Sequence, residues 1–358
     1  MFVKTREFRI TAPALLFDPA LYPFDFAPRE GLTKFLVVDE SILELSPFVD
    51  VRFEPLAKAN FWVDTRDLFA LESARDVQRP RPAFIFHHSF ACSTLLARCL
   101  GRIEAFFSLK EPWILRRLAD HKRARGNPET GPQWRDMFCN YAGLLCRNFA
   151  TGRMPVVKAT NVANNLLVDV FRFLPDSPVL YLYSDLESFL ASNLKKSPDT
   201  QRKIPGLAQE FLGDSDFLRR FPMMRDLSQL TFLQVCALTW LVNLYNLRES
   251  MGQHPRARAS TLDVQDFLGD LPRSLGSVSR HFGHAPSAGD VQRMTDSQVL
   301  GTNAKDQSKP YGVEQRRVEL NEIRTRHDAE LKDAMAWIDP LTKELEILDF
   351  MRGHRLVA

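Results

Sequence analysis

Residues 83–96 read Ala83-Phe84-Ile85-Phe86-His87-His88-Ser89-Phe90-Ala91-Cys92-Ser93-Thr94-Leu95-Leu96. The short apolar run Ala83 to Phe86 fits a strand buried on both faces of a parallel sheet. A turn and a helical stretch, Thr94 to Leu100, follow at once. A buried strand that ends in a tight turn opening a helix leaves several backbone N–H groups converging on one spot, with the helix dipole behind them, and an anion belongs there. Ser93 and Thr94 add hydroxyls, and small Ala91 and Cys92 let an anion approach the backbone. The same residues also describe an ordinary helix N-cap.

The alternation continues downstream. Pro155 to Lys158 reads as strand, Val162 to Phe173 as helix, Val179 to Tyr183 as strand and Leu186 to Leu194 as helix, which implies right-handed crossovers and a parallel sheet. Leu230 to Ser250 is the longest helix expected. A strand near Ala257 to Leu262 and a helix from Val264 to about Phe282 come next. The polar stretch Gly283 to Gly312 reads as a long surface loop, and Glu314 to Asp339 as one charged helix. Before residue 81, short apolar runs (Phe35-Leu36-Val37-Val38, Val51-Arg52-Phe53) alternate with Pro and Asp turns.

The chain has 358 residues, 45% of them hydrophobic, enough for one large core. Its 47 basic and 44 acidic residues leave a net charge of +3, too balanced for a general nucleic-acid or membrane surface. Cys92, Cys99, Cys139, Cys146 and Cys236 are odd in number and form no CxxC pair, which disfavours a zinc site or disulfide framework and fits a cytoplasmic protein. No signal-peptide core and no membrane span are read.

GxxxxGK[ST], the ATPase signature, is absent, because no Lys precedes Ser93. In its turn, Phe90-Ala91-Cys92-Ser93-Thr94-Leu95-Leu96, the chain resembles the sulfotransferase superfamily, whose donor turn reads Lys/Arg-Ser-Gly-Thr/Ser-Thr. Phe90 replaces the basic residue and Cys92 the glycine. Four further stretches resemble the family in order: Leu109-Lys110-Glu111-Pro112, Val156-Val157-Lys158-Ala159-Thr160, the run Phe173-Leu174-Pro175-Asp176 through Ser184-Asp185 to Ser192, and Thr302-Asn303-Ala304-Lys305-Asp306-Gln307-Ser308-Lys309-Pro310-Tyr311.

This resemblance covers about residues 83–312 and implies an α/β, P-loop-type three-layer fold, its central mostly parallel sheet flanked by helices. Residues 1–80 would form a small N-terminal appendage, 81–312 the main domain and 313–358 a C-terminal helical extension. It implies transfer of a sulfuryl group from PAPS, leaving PAP, to a hydroxyl or amine of an unknown acceptor, with no metal expected. Ser89, Phe90, Ala91, Cys92, Ser93, Thr94 and Leu95 would cradle the donor's 5′-phosphosulfate. Glu111 would be the general base and Lys158 would neutralise the charge that builds on the sulfuryl group and bridging oxygen. His88, with His87, is the alternative base. Ser192 would hold the donor's 3′-phosphate together with position 184, where Ser184 replaces the family's Arg. Lys195 and Lys196 are substitute cations, and Lys305 and Lys309 would close over the nucleotide.

Two other readings stay open. One is a nucleoside-triphosphate-dependent phosphotransferase with Asp185 holding Mg²⁺; the other is a non-catalytic protein that binds a ligand or partner. The acceptor pocket is expected from residues 113–150 and 200–250, with Trp134 and Trp240 as candidate lining.

Overall fold

The computed structural model describes residues 3–4, 9–73, 81–126, 131–150, 152–303, 310 and 312–356. The first sheet is antiparallel, with strands β1 (Leu21–Ala27), β2 (Leu32–Val37) and β3 (Ala59–Asp64) in sequence order. The second is parallel, built from β4 (Ala83–His87), β5 (Phe106–Lys110), β6 (Met154–Lys158), β7 (Val179–Tyr183) and β8 (Ala259–Asp263). Its spatial order is β8-β7-β4-β6-β5. After β4 the chain goes to the β5 edge, returns to β6, then crosses to β7 on the other side. The carboxyl end of β4 is therefore a switch point of the sheet, where ligand crevices open.

All five residues of β4 are buried, as the apolar run requires. Successive residues serve opposite faces. Phe84, Phe86, Val157 and Tyr181 belong to one core, and Ala83, Ile85, Val156, Leu180 and Leu182 to the other. Helix α1 (Ser93–Leu100) packs in the second core, while the long helix α2 (Phe232–Gln253) packs in the first. The result is the three-layer α/β arrangement expected.

The N-terminal segment is not a separate body. Phe24, Phe26, Phe35 and Val63 lie in the same core cluster as Ile114, Tyr141 and Phe171. Thr33 Oγ1 meets the Tyr141 hydroxyl at 2.7 Å, and the buried Arg147 donates to the carbonyl oxygens of Leu15 and Leu21.

Several expected elements are divided. The stretch from Val264 breaks at Asp270, whose side chain accepts from Arg273 N–H at 3.1 Å and so starts a second helix ahead of Pro272. Residues 283–303 are not a bare loop: Ala288–Met294 and Ser297–Leu300 are helical, because Met294 and Val299 are anchored in the core. The expected C-terminal helix is two, α3 (Val313–Arg326) and α4 (Asp328–Glu344), broken at His327. The helix expected from Val162 begins as a 3-10 turn over Asn161–Leu166. Val51 to Phe53 is a turn, not a strand. Among the described residues, no helix is long and apolar enough to cross a membrane.

Candidate active site

A cleft of about 530 Å³ lies at the switch point, in the size range of small-molecule sites. Its floor is the turn after β4. Phe90 (φ 66°) and Cys92 (φ 55°) both adopt the left-handed backbone, which costs an L-residue roughly 1–2 kcal/mol each. Left-handed residues alternating with right-handed ones fold successive N–H groups into a concave nest. Behind it α1 begins at Ser93, and the first-turn N–H groups of a helix have no acceptor within it.

The surroundings over-determine this turn. Asn161 Nδ2 donates to Ser89 Oγ at 2.9 Å and Asn164 Nδ2 to the His87 carbonyl oxygen at 3.1 Å. His88 pins it from beneath: its Nδ1 donates to the Ser89 carbonyl oxygen and its Nε2 accepts from Ser184 N–H, both at 2.7 Å. Burial pulls His88 down to about 4, so the ring is neutral at pH 7.

Strand ends bring the ionic groups. Lys158, the last residue of β6, is 1% exposed and forms an ion pair with Glu111. Glu111 follows β5 with φ 57° and donates its N–H to the Lys158 carbonyl oxygen at 2.7 Å. Lys196 also lines the cleft, its ammonium 4.7 Å from the centre of the Phe90 ring. Lys195 is paired with Glu319.

Ser89 through Leu95, Glu111, Lys158 and Ser192 all line the cleft, and Ser192 donates its hydroxyl to the Ser188 carbonyl oxygen at 2.7 Å. Two expected residues do not. His88 is fully buried with both ring nitrogens engaged inside the turn, so it has no proton-accepting atom for a substrate. His87 does border the cleft, its ring nitrogens against the carbonyl oxygens of Ala159 and His88. Ser184 is 1% exposed and lies beneath the floor, where its carbonyl oxygen accepts from Trp240 Nε1 at 2.9 Å. Lys305 and Lys309 lie outside the described residues.

The walls come from unexpected segments. Among the described residues, none of 113–150 or 200–250 lines the cleft, and Trp134 and Trp240 are core, hydrogen-bonded to Asp169 and Ser184. Instead Phe48 and Arg52 reach in from the N-terminal segment, held there because Val49 N–H donates to the Lys110 carbonyl oxygen at 2.7 Å. Arg52 stacks on Phe48 at 3.9 Å, and its hydrogen bond to Asp50 raises its pKa, with a smaller contribution from the Glu111 charge. From α3 come Val313, Arg316 and Leu320. Arg316 Nη2 is buried without a hydrogen-bond partner among the described residues. Nothing local in the sequence marks either arginine, since one falls in a turn and the other in a charged helix.

No protein-family model matches the chain, and no curated protein matches its sequence. Among solved structures, the chain is similar to the sulfotransferase STF1 from Mycobacterium tuberculosis H37Rv, at 14% identity and a TM-score of 0.39 over 70% of this chain and 77% of that one. It is similar also to the sulfotransferase domain from the curacin biosynthetic pathway, at 13% identity and a TM-score of 0.39 over 70% and 99%. For the sulfotransferase from Alicyclobacillus acidocaldarius the figures are 14% and 0.36 over 74% and 96%. Likeness of this degree assigns no activity.

Proposed function

We propose that the chain is a sulfotransferase-like enzyme that passes a sulfuryl group from PAPS to a hydroxyl or amine of an acceptor, releasing PAP. The observation that carries this reading is the Lys158–Glu111 pair set in the same cleft as the anion-binding turn. The residues fit the donor. The nest at 90–95 and the hydroxyls of Ser89, Ser93 and Thr94 suit a phosphosulfate, while Lys196, Ser192 and Arg316, whose Nη2 has no partner among the described residues, suit the donor's second phosphate. PAPS, when bound, supplies an activated sulfuryl group on a phosphate leaving group.

The chain's own residues supply the rest. Lys158 pairs with Glu111, whose carboxyl group is the candidate to accept a proton from an acceptor hydroxyl. When Lys158 turns toward negative charge at the cradle, Glu111 is released to take that proton. Lys158 and the N–H groups of the turn then hold the charge that develops on the leaving oxygen, the backbone N–H groups being fixed in place beforehand. Phe48 and Arg52 line the same cleft as Glu111, and Arg52 feels its charge, so these two are candidates to contact the acceptor.

Asp185 does not favour the phosphotransferase reading. Its carboxylate caps a helix by accepting from Ser188 N–H at 2.7 Å and is not part of the cleft lining. Thermal denaturation in the presence of PAP, PAPS, ATP with Mg²⁺ and GTP with Mg²⁺ tests the assignment. PAP and PAPS should raise Tm, by the equivalent of about 2.7 kcal/mol at a hundredfold excess over Kd. Stabilisation by the triphosphates alone, or by none of the four, overturns it.

A further inference from the structure

Behind α1, away from the cleft, lies a second cavity of about 120 Å³, room for about four waters at ~30 Å³ each or for one tetrahedral anion. Its polar lining is mostly cationic. Arg98 projects from α1, Arg102 from the turn that follows, and Lys110 and Ser108 from the same face of β5. The carboxylate of Glu44 also borders the cavity, but Arg153 Nη2 donates to it at 2.5 Å. Lys110 is 2% exposed and gives its ammonium to the carbonyl oxygens of Glu44, at 2.5 Å, and Leu43.

Two donors here are left over. Arg98 Nη1 and the Ser108 hydroxyl, on a residue 3% exposed, are buried with no hydrogen-bond partner among the described residues. A buried donor without a partner costs roughly 1–3 kcal/mol, and two beside a cluster of like charges call for something that is both acceptor and anion. The mutual repulsion is visible in the groups themselves. Burial and then the neighbouring Arg98 charge pull Lys110 down to about 8, against Glu44, and burial followed by the Arg102 charge lowers Arg98.

We infer that this cavity binds a small tetrahedral oxyanion, phosphate or sulfate, through Arg98, Arg102 and Ser108 with Lys110 behind them. Gly101 keeps the entrance open, since a Cβ there would stand 3.3 Å from the Ser108 Cβ. Arg98 also connects this cavity to the cleft, because its Nη2 donates at 3.0 Å to Thr302 Oγ1 and Thr302 lines the cleft. An anion on Arg98 thus steadies a wall of the first site. The inference does not depend on the sulfuryl-transfer reading.

Calorimetric titration of the full chain with inorganic phosphate, and separately with sulfate, tests it at constant ionic strength. Lys158→Ala weakens phosphate binding at the cradle and should leave the event in this cavity unchanged. In that background Arg98→Gln and Arg102→Gln should each weaken that event about tenfold or more. Arg102 is exposed at the rim, so Arg102→Gln carries the test if Arg98→Gln folds poorly. Loss of the event in Lys158→Ala alone, or an event that neither arginine affects, overturns the inference. If PAP fails to bind but an arginine-dependent phosphate event persists, the proposed function fails and this site stands.

Discussion

Lys158 and Glu111 are joined twice, by an ion pair between their side chains and by the Glu111 N–H, which donates to the Lys158 carbonyl oxygen at 2.7 Å. The backbone link keeps the two groups together even when the side chains part. Their roles therefore separate on mutation. Lys158→Ala should lower release of PAP from PAPS by about 10² or more, the scale for losing one preorganised donor. Glu111→Gln should lower it by roughly 10²–10⁴ while PAP binding stays close to wild type. Wild-type turnover in either variant would remove that residue from the reaction.

Arg316 has a buried Nη2 without a partner among the described residues, so removing it costs the free protein little. Arg316→Ala should keep the wild-type Tm and weaken PAP about tenfold or more, as expected for a lost charge-assisted hydrogen bond. Equilibrium binding of PAP to both proteins decides it; equal affinities would show that the guanidinium does not reach the ligand.

Cys92 holds a left-handed φ of 55° at the entrance to α1. Glycine accepts that conformation freely and a β-branched residue does not. Cys92→Val should destabilise the fold further and abolish PAP binding, whereas Cys92→Gly, relieved of roughly 1–2 kcal/mol of left-handed strain, should retain the fold and the binding. Urea unfolding and PAP titration of the two variants provide the comparison. Unimpaired binding by Cys92→Val would show that the nest does not need this backbone.

His88 gives the fold an acid limit. Its folded pKa is depressed to about 4 from the ordinary 6.5, so between those values the unfolded chain takes up a proton that the folded chain refuses. The His88 contribution to stability is full above pH 6.5 and falls by on the order of 3 kcal/mol toward pH 4. Urea unfolding from pH 7 to pH 4 should show a shallower decline for His88→Gln than for wild type. Parallel declines would mean that the ring is not buried in its neutral form.

The parallel sheet was legible because strands buried on both faces are written as unbroken apolar runs. The strand Val179–Tyr183 and the helix Leu186–Leu194 match their expected bounds residue for residue. Lys158 was legible for a related reason, since a charged residue closing such a run lies at the sheet's edge, whereas Glu111 was picked out by the family resemblance alone. His88 shows the limit of local reading. Its burial depends on Ser184, ninety-six positions away, whose N–H fixes the ring. Trp134 and Trp240 likewise look like cleft lining until Asp169 and the Ser184 carbonyl oxygen are seen to hold them in the core. Phe48, Arg52 and Arg316 were not legible at all, because only tertiary folding brings a turn from one end of the chain and a helix from the other to the same opening.

The shared core between the N-terminal sheet and the α/β body also sets an order of events during synthesis. Thr33 meets its partner Tyr141 across 108 positions of sequence. At ribosomal rates of about 5–20 residues per second, that strand waits roughly 5–20 s for the residue it packs against. Until then Phe26, whose ring stacks on Tyr141 at 5.5 Å between centres, lacks that partner. A nascent chain stalled before Tyr141 would leave this aromatic sheet without part of its cover and open to chaperones.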